Sequence, residues 1–130
     1  MPLQLVFVYG TLKADFSNHS VLGDSQFVDM ATTDETYLMY SNGCYPTITP
    51  EDGGTQVRGE VYICEEGTMR DLDCLEANGA MYTRHQRLVN MDNNGMLAVW
   101  VYEYNYEHQG EQILDGNFTH EHCGGRYDRN

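Results

Sequence analysis

The sequence predicts an α+β fold, a small and mostly antiparallel β-barrel with short helices packed alongside. Three observations lead there. Apolar and polar residues alternate in separated runs, most cleanly over residues 57–64. Asn94-Gly95 joins two long β-rich segments, the strongest hairpin signal in the chain. Helical spacing is confined to short stretches near residues 17–23 and 68–78. With 130 residues and ten tyrosines, one β-rich domain with a single enclosed core is expected.

Each element has its own reason. Val6, Phe7 and Val8, with Leu3 and Leu5 before them, read as a strand buried on both faces and broken by Gly10. Ser17 can cap a short helix carrying His19, Val21 and Leu22 and stopping at Gly23. Residues 26–31 and 36–40 read as strands around the polar turn Thr33-Asp34-Glu35. Residues 45–50 form an extended or edge segment, because Pro46 and Pro50 cannot donate to a ladder. Val57, Gly59, Val61 and Ile63 share one strand face; Arg58, Glu60, Tyr62 and Cys64 share the other. A helix follows, begun by Thr68 with Asp71 at its third position, carrying Met69, Leu72, Leu75 and Glu76 at helical spacing and ended by Asn78-Gly79. Residues 81–91 and 96–106 are the arms of the hairpin, with Tyr102, Tyr104 and Tyr106 continuing the face of Trp100. The domain is placed at residues 1–106. Residues 107–130 are a polar extension, partly docked or flexible, with Ile113, Leu114 and Phe118 available to pack.

Twenty acidic against seven basic residues give a net charge of −13, scattered from Asp15 to Asp128. A solvated acidic surface disfavours nucleic-acid phosphates as a partner, unless the carboxylates line one face and imitate DNA. Cys44, Cys64, Cys74 and Cys123 lie far apart behind no secretion-type leader, so free thiols and a cytoplasmic location are expected. No apolar run is long enough to cross a bilayer as a helix, and no membrane partner is expected.

Two features point to chemistry. A strand ending in Gly10-Thr11 presents successive backbone amides at its tip, which either form an ordinary turn or hold a carboxylate or oxyanion. Glu76 falls four residues after Leu72 and seven after Met69, on the helix's apolar stripe and in its last turn. Desolvation and the negative end of the helix dipole both raise a carboxyl pKa there, as suits a general base. The alternative is that Glu76 turns out to solvent at a frayed helix end.

Tyr9-Gly10-Thr11-Leu12-Lys13, Gly59-Glu60-Val61-Tyr62, Leu72-Asp73-Cys74-Leu75-Glu76 and Tyr82-Thr83-Arg84 together resemble the ordered signature of the γ-glutamylcyclotransferase-like proteins. Asn18-His19 with Val21-Leu22 is more particularly similar to the γ-glutamylamine cyclotransferase branch, and residues 98–102 fit it as well. Two departures are evident. Ala14-Asp15 stands where a glycine often follows the basic residue, and Ala77-Asn78-Gly79 replaces a glycine directly after the glutamate.

The resemblance implies a small β-barrel enzyme that cyclises a small γ-glutamyl substrate. The substrate's α-amine attacks its own γ-carbonyl, releasing 5-oxoproline and an amine or amino acid with no covalent intermediate. No cofactor and no metal are called for, since nucleophile and electrophile belong to one molecule. Glu76 would be the general base and acid. Gly10, Thr11 and Leu12 would bind substrate through their amides, with Tyr9 on the pocket floor and Tyr82 donating a hydroxyl nearby. Lys13 and Asn18 are candidates for the rim, and Arg84 is either structural or substrate-binding.

Three readings compete. His120-Glu121-His122-Cys123, with His108 upstream, gathers potential metal ligands but lacks a second pair at zinc spacing, so a solvated tail is the plainer account. Cys74 with His85 is conceivable as a nucleophile pair, although Cys74 has no evident positive neighbour on its helix and reads as an inert packing residue. A protein of this fold can also be a non-catalytic binding or regulatory module, engaging a protein partner through its acidic surface.

Overall fold

The structure, a computed structural model, describes residues 3–123. Eight strands and one α-helix run in the order β1 (Gln4–Val8), β2 (Gln26–Thr33), β3 (Tyr37–Ser41), β4 (Pro46–Pro50), β5 (Arg58–Cys64), α1 (Glu66–Leu75), β6 (Tyr82–Met91), β7 (Gly95–Tyr104) and β8 (Glu111–Gln112). Short 3-10 helices lie at His19–Leu22 and His120–Cys123. Five strands close a barrel in the order β1-β5-β2-β6-β7, and β4-β3-β8 form a second sheet. The barrel is antiparallel except at its seam, where β1 meets β7 in parallel through Val6 and Trp100. Trp100 Nε1 donates to Gln4 Oε1 across that seam at 2.6 Å.

The alternation predicted for the fifth strand and the two-faced burial predicted for the first organise the core. Phe7 and Val61 point into the barrel with Val89, Val99 and Val101. Val6, Val8, Tyr62 and Cys64 point outward, under Met69 and Leu72 of α1. Burying each of those two helix side chains contributes about 1.5–3 kcal/mol. β1 is therefore covered on both faces, which its unbroken apolar run required. Gly59 is held to glycine by crowding: a Cβ there would lie 2.3 Å from the Val8 carbonyl oxygen.

Several local expectations are corrected. α1 starts at Glu66, before Thr68, because the chain enters it straight from β5 with Glu65 extended at the N-cap and Glu66 in the first turn. Ser17 does not cap the first short helix; Asn18 stands there, and its side-chain amide is engaged elsewhere. β2 and β3 flank the polar turn but belong to different sheets. The second sheet is itself unanticipated, since β8 is two exposed polar residues pairing with Tyr40 and Ser41. Among the segment's apolar residues, Ile113 and Phe118 are buried in the barrel-side core, whereas Leu114 is exposed. Residues 124–130 of the expected extension lie outside the described residues. No described helix is long and apolar enough to cross a membrane.

Candidate active site

β1 delivers the first half of the site. The chain leaves the strand at Tyr9 and turns through Gly10, Thr11 and Leu12, with Lys13 N–H closing a turn onto the Gly10 carbonyl at 3.0 Å. The N–H groups of Gly10, Thr11 and Leu12 reach no acceptor among the described residues. Gly10 is required for space, since a Cβ would lie 2.6 Å from Pro46 Cγ. The loop beyond is pinned back by Asn18, whose backbone N–H donates to the Thr11 carbonyl at 3.0 Å and whose side-chain amide donates to Thr11 Oγ1 at 2.9 Å. Asp15 takes a left-handed conformation (φ 74°), so it occupies a position with the backbone demand of a glycine.

α1 delivers the second half. Its end is a Schellman turn: Ala77 N–H donates to the Cys74 carbonyl at 3.2 Å and Asn78 N–H to the Asp73 carbonyl at 2.9 Å. Glu76 is the C-cap, one residue past the helix, and Ala77 is left-handed (φ 49°). An alanine there costs about 1 kcal/mol relative to a glycine. The turn aims Glu76 inward. Its side chain is half-buried, accepts no hydrogen bond and forms no ion pair among the described residues, and desolvation pushes its pKa up to about 7. The frayed, solvent-facing alternative is not what this geometry holds.

Both halves meet in one cavity of about 350 Å³. Its wall includes Tyr9, Gly10, Thr11, Leu12, Asn18, Glu76 and Tyr82, seven of the nine residues singled out from the sequence. Tyr9 is buried and donates to the Tyr102 carbonyl at 2.5 Å; Tyr82 is buried and donates to the Pro46 carbonyl at 2.8 Å. Burial raises both phenol pKa values, so both stay protonated. Tyr45, Pro46, Met81 and Tyr102 are among the other residues of the wall, and the sequence did not mark them as site residues. The face shared by Trp100 and Tyr102 was legible, but no local signal places β4 over the tip of β1.

Two of the nine residues stand outside the wall. Lys13 is buried, not at the rim; Nζ donates to the Phe118 carbonyl at 2.6 Å and to Asn117 Oδ1 at 3.3 Å, tying the amide loop to the C-terminal segment. Burial lowers its pKa, with Glu60 opposing. Arg84 lies outside the cavity wall, pairing with Asp73 through Nε at 2.9 Å and stacking over Trp100 at 4.3 Å.

The histidines of the candidate metal cluster are held by hydrogen bonds and ring stacking. His108 is held between the hydroxyls of Thr47 and Thr49, both at 2.7 Å, and burial lowers its pKa. His120 stacks on Phe16 at 4.0 Å and His122 accepts from Thr119 N–H at 2.9 Å. No group of three or more potential ligands forms a metal site among the described residues. Cys74 is exposed on α1, and His85 on β6 faces Glu103 at 3.9 Å.

Such a site can bind an anion on one wall and exchange a proton on the other. Comparison with known proteins bears on the family and the fold. Residues 6–120 match the family model described as gamma-glutamyl cyclotransferase, AIG2-like. The gamma-glutamylcyclotransferase family protein YtfP of Escherichia coli is 30% identical over 110 residues, covering 85% of this chain and 90% of that protein. The crystal structure of an AIG2-like protein from Mus musculus superposes with a TM-score of 0.80 at 24% identity, over 92% of this chain and 90% of that one. A structure titled gamma-glutamyl cyclotransferase gives 0.67 at 21% identity, over 82% and 69% of the two chains.

Proposed function

We propose, for a chain that belongs to the gamma-glutamyl cyclotransferase, AIG2-like family, that Glu76 and the Gly10–Leu12 amides cyclise a γ-glutamyl compound to 5-oxoproline. The observation that carries this is the convergence, on one cavity, of a desolvated carboxyl and three backbone N–H groups that have no partner among the described residues. A volume of about 350 Å³ fits a folded glutamyl moiety with part of its leaving group.

The steps follow from what each group can do. The substrate's α-amine is mostly ammonium near neutrality, with a pKa of about 8. Glu76 as carboxylate takes one proton from it. The freed nitrogen attacks the γ-carbonyl carbon, forming the ring C–N bond and a tetrahedral oxyanion. Holding amine and carbonyl together in one folded molecule supplies much of the rate. The amides hold the α-carboxylate or the oxyanion, in a site where water competes poorly. The γ-carbon then releases its original nitrogen, which takes the proton from Glu76; the carboxylate so restored removes the second proton from the ring nitrogen and passes it to the departing amine, which leaves as ammonium. One amide bond is broken and one made, so the products are 5-oxoproline and an amine, with no oxidant and no water consumed. Tyr82 and Tyr9, protonated throughout, shape the wall and exchange no protons.

Incubation with γ-glutamyl-ε-lysine, and separately with a γ-glutamyl amino acid, is expected to release 5-oxoproline, read by chromatography. Absence of product from a panel of both kinds would overturn the assignment.

A further inference from the structure

The two working halves of the cavity stand on different parts of the chain, and side chains behind its wall hold them at a fixed separation. Asp73 lies three residues before Glu76, about one helical turn back. Its Oδ1 accepts from the Tyr102 hydroxyl at 2.5 Å and from Arg84 Nε at 2.9 Å, and its Oδ2 accepts from Arg84 Nη2 at 3.3 Å. Arg84 is fixed in turn by Trp100 beneath its guanidinium and by its own N–H, which donates to Asn78 Oδ1 at 3.0 Å. The last turn of α1 is thereby tied to β6 and β7 through charge-assisted bonds.

Tyr102 carries the connection across the barrel. Its ring lines the cavity, its hydroxyl is committed to Asp73, and its carbonyl accepts from the Tyr9 hydroxyl. Tyr9 immediately precedes Gly10. One chain of hydrogen bonds, Asp73–Tyr102–Tyr9, thus runs from the helix bearing the carboxyl to the strand bearing the amides. Met69 and Leu72 already anchor the body of α1. They lie short of its end, where Ala77 is left-handed and an outward swing would hydrate Glu76.

We propose that Asp73 is a positioning residue, acting through Tyr102 and Arg84 to fix the separation between the Glu76 carboxyl and the Gly10–Leu12 amides. The inference rests on Glu76 being the base. Loosening the brace lets water reach Glu76, so its pKa falls towards the ordinary carboxylate range. The titratable groups facing Glu76 are the phenols of Tyr9 (before Gly10), Tyr82 (β6) and Tyr102 (β7), with Tyr45 and Cys44 from the cavity wall before β4. Asp73 and Arg84 are the charges behind it.

The test is the pH dependence of kcat/KM, with kcat and KM measured separately, in Asp73→Asn, Arg84→Met and Tyr102→Phe. All three are expected to lower kcat by about ten- to a hundredfold, as a misplacement near 1 Å does, while KM stays within about threefold. All three are expected to move the acid limb to lower pH. A purely electrostatic role gives another pattern: downward for Asp73→Asn, upward for Arg84→Met and unmoved for Tyr102→Phe, which changes no charge. That pattern, unmoved limbs or an unchanged kcat would overturn the proposal. Should Arg84→Met fail to fold by circular dichroism, Tyr102→Phe decides alone. Glu76→Gln is run in parallel. Retained turnover there refutes the base itself, whereas lost turnover there with unmoved limbs in the other variants refutes only the brace.

Discussion

Replacing Glu76 with Gln is expected to lower kcat for 5-oxoproline release by about three orders of magnitude, the middle of what general acid–base groups supply. Glutamine keeps the size and hydrogen-bonding reach of the side chain but cannot carry the proton from the substrate ammonium to the leaving nitrogen, so KM is expected to change little. The same change should stabilise the fold at alkaline pH. Glu76 titrates near 7 in the folded protein against 4.5 as an ordinary glutamate. Below the lower value it is neutral whether folded or unfolded, and its burial carries no penalty. As pH rises through 4.5 towards 7 the unfolded chain loses the proton first, so the folded state loses stability relative to it. Above 7 the full penalty stands, about 2 kcal/mol once the remaining solvent contact is discounted. Thermal melts at pH 8 should show Glu76→Gln above the natural protein, and melts at pH 4 should show the two together. Undiminished turnover in this variant, or equal melting at pH 8, would contradict a buried base.

Gly10→Ala is the second large effect. Its Cβ would lie 2.6 Å from Pro46 Cγ and 2.7 Å from Pro46 Cδ, both atoms of a rigid ring. β4 or the tip of β1 must retreat. Overpacking of this kind costs about 1–3 kcal/mol. The functional cost is larger, because the amides of Gly10, Thr11 and Leu12 move with the tip, and a shift near 1 Å costs about a hundredfold in rate. Steady-state kinetics and a melt on one preparation separate the two: a fall in kcat/KM far beyond the stability loss is expected. A variant with native kcat/KM would show that these amides are not where binding or oxyanion stabilisation occurs.

How much of this was legible in the chain depends on how local each signal was. The apolar alternation of residues 57–64 and the Asn94-Gly95 turn act within a few residues, and β5 and the β6–β7 hairpin formed as the pattern demanded. The proline-bounded strand is an edge strand, because neither proline can donate to a second neighbour. Glu76 was visible as an acid on an apolar stripe, although its final position is a C-cap set by the left-handed Ala77 and not by the stripe itself. What stayed hidden was long-range. β8 has no apolar signal, and its pairing with β3 depends on Ile113 and Phe118 docking. Lys13 looked like a surface cation because nothing near it in sequence announces that Phe118, 105 residues away, will accept its ammonium. Tyr45 and Pro46 join the site because the start of β4 packs against Gly10 at the tip of β1.

The central claim is that a desolvated carboxyl does the proton transfer. The most direct measurement is the pH dependence of kcat/KM for 5-oxoproline release, which reports the ionisations of the free enzyme and free substrate. An acid limb with a midpoint at about pH 7 is expected, where Glu76 gives up its proton. A limb near the ordinary carboxylate value, or a rate indifferent to pH between 5 and 8, would contradict it.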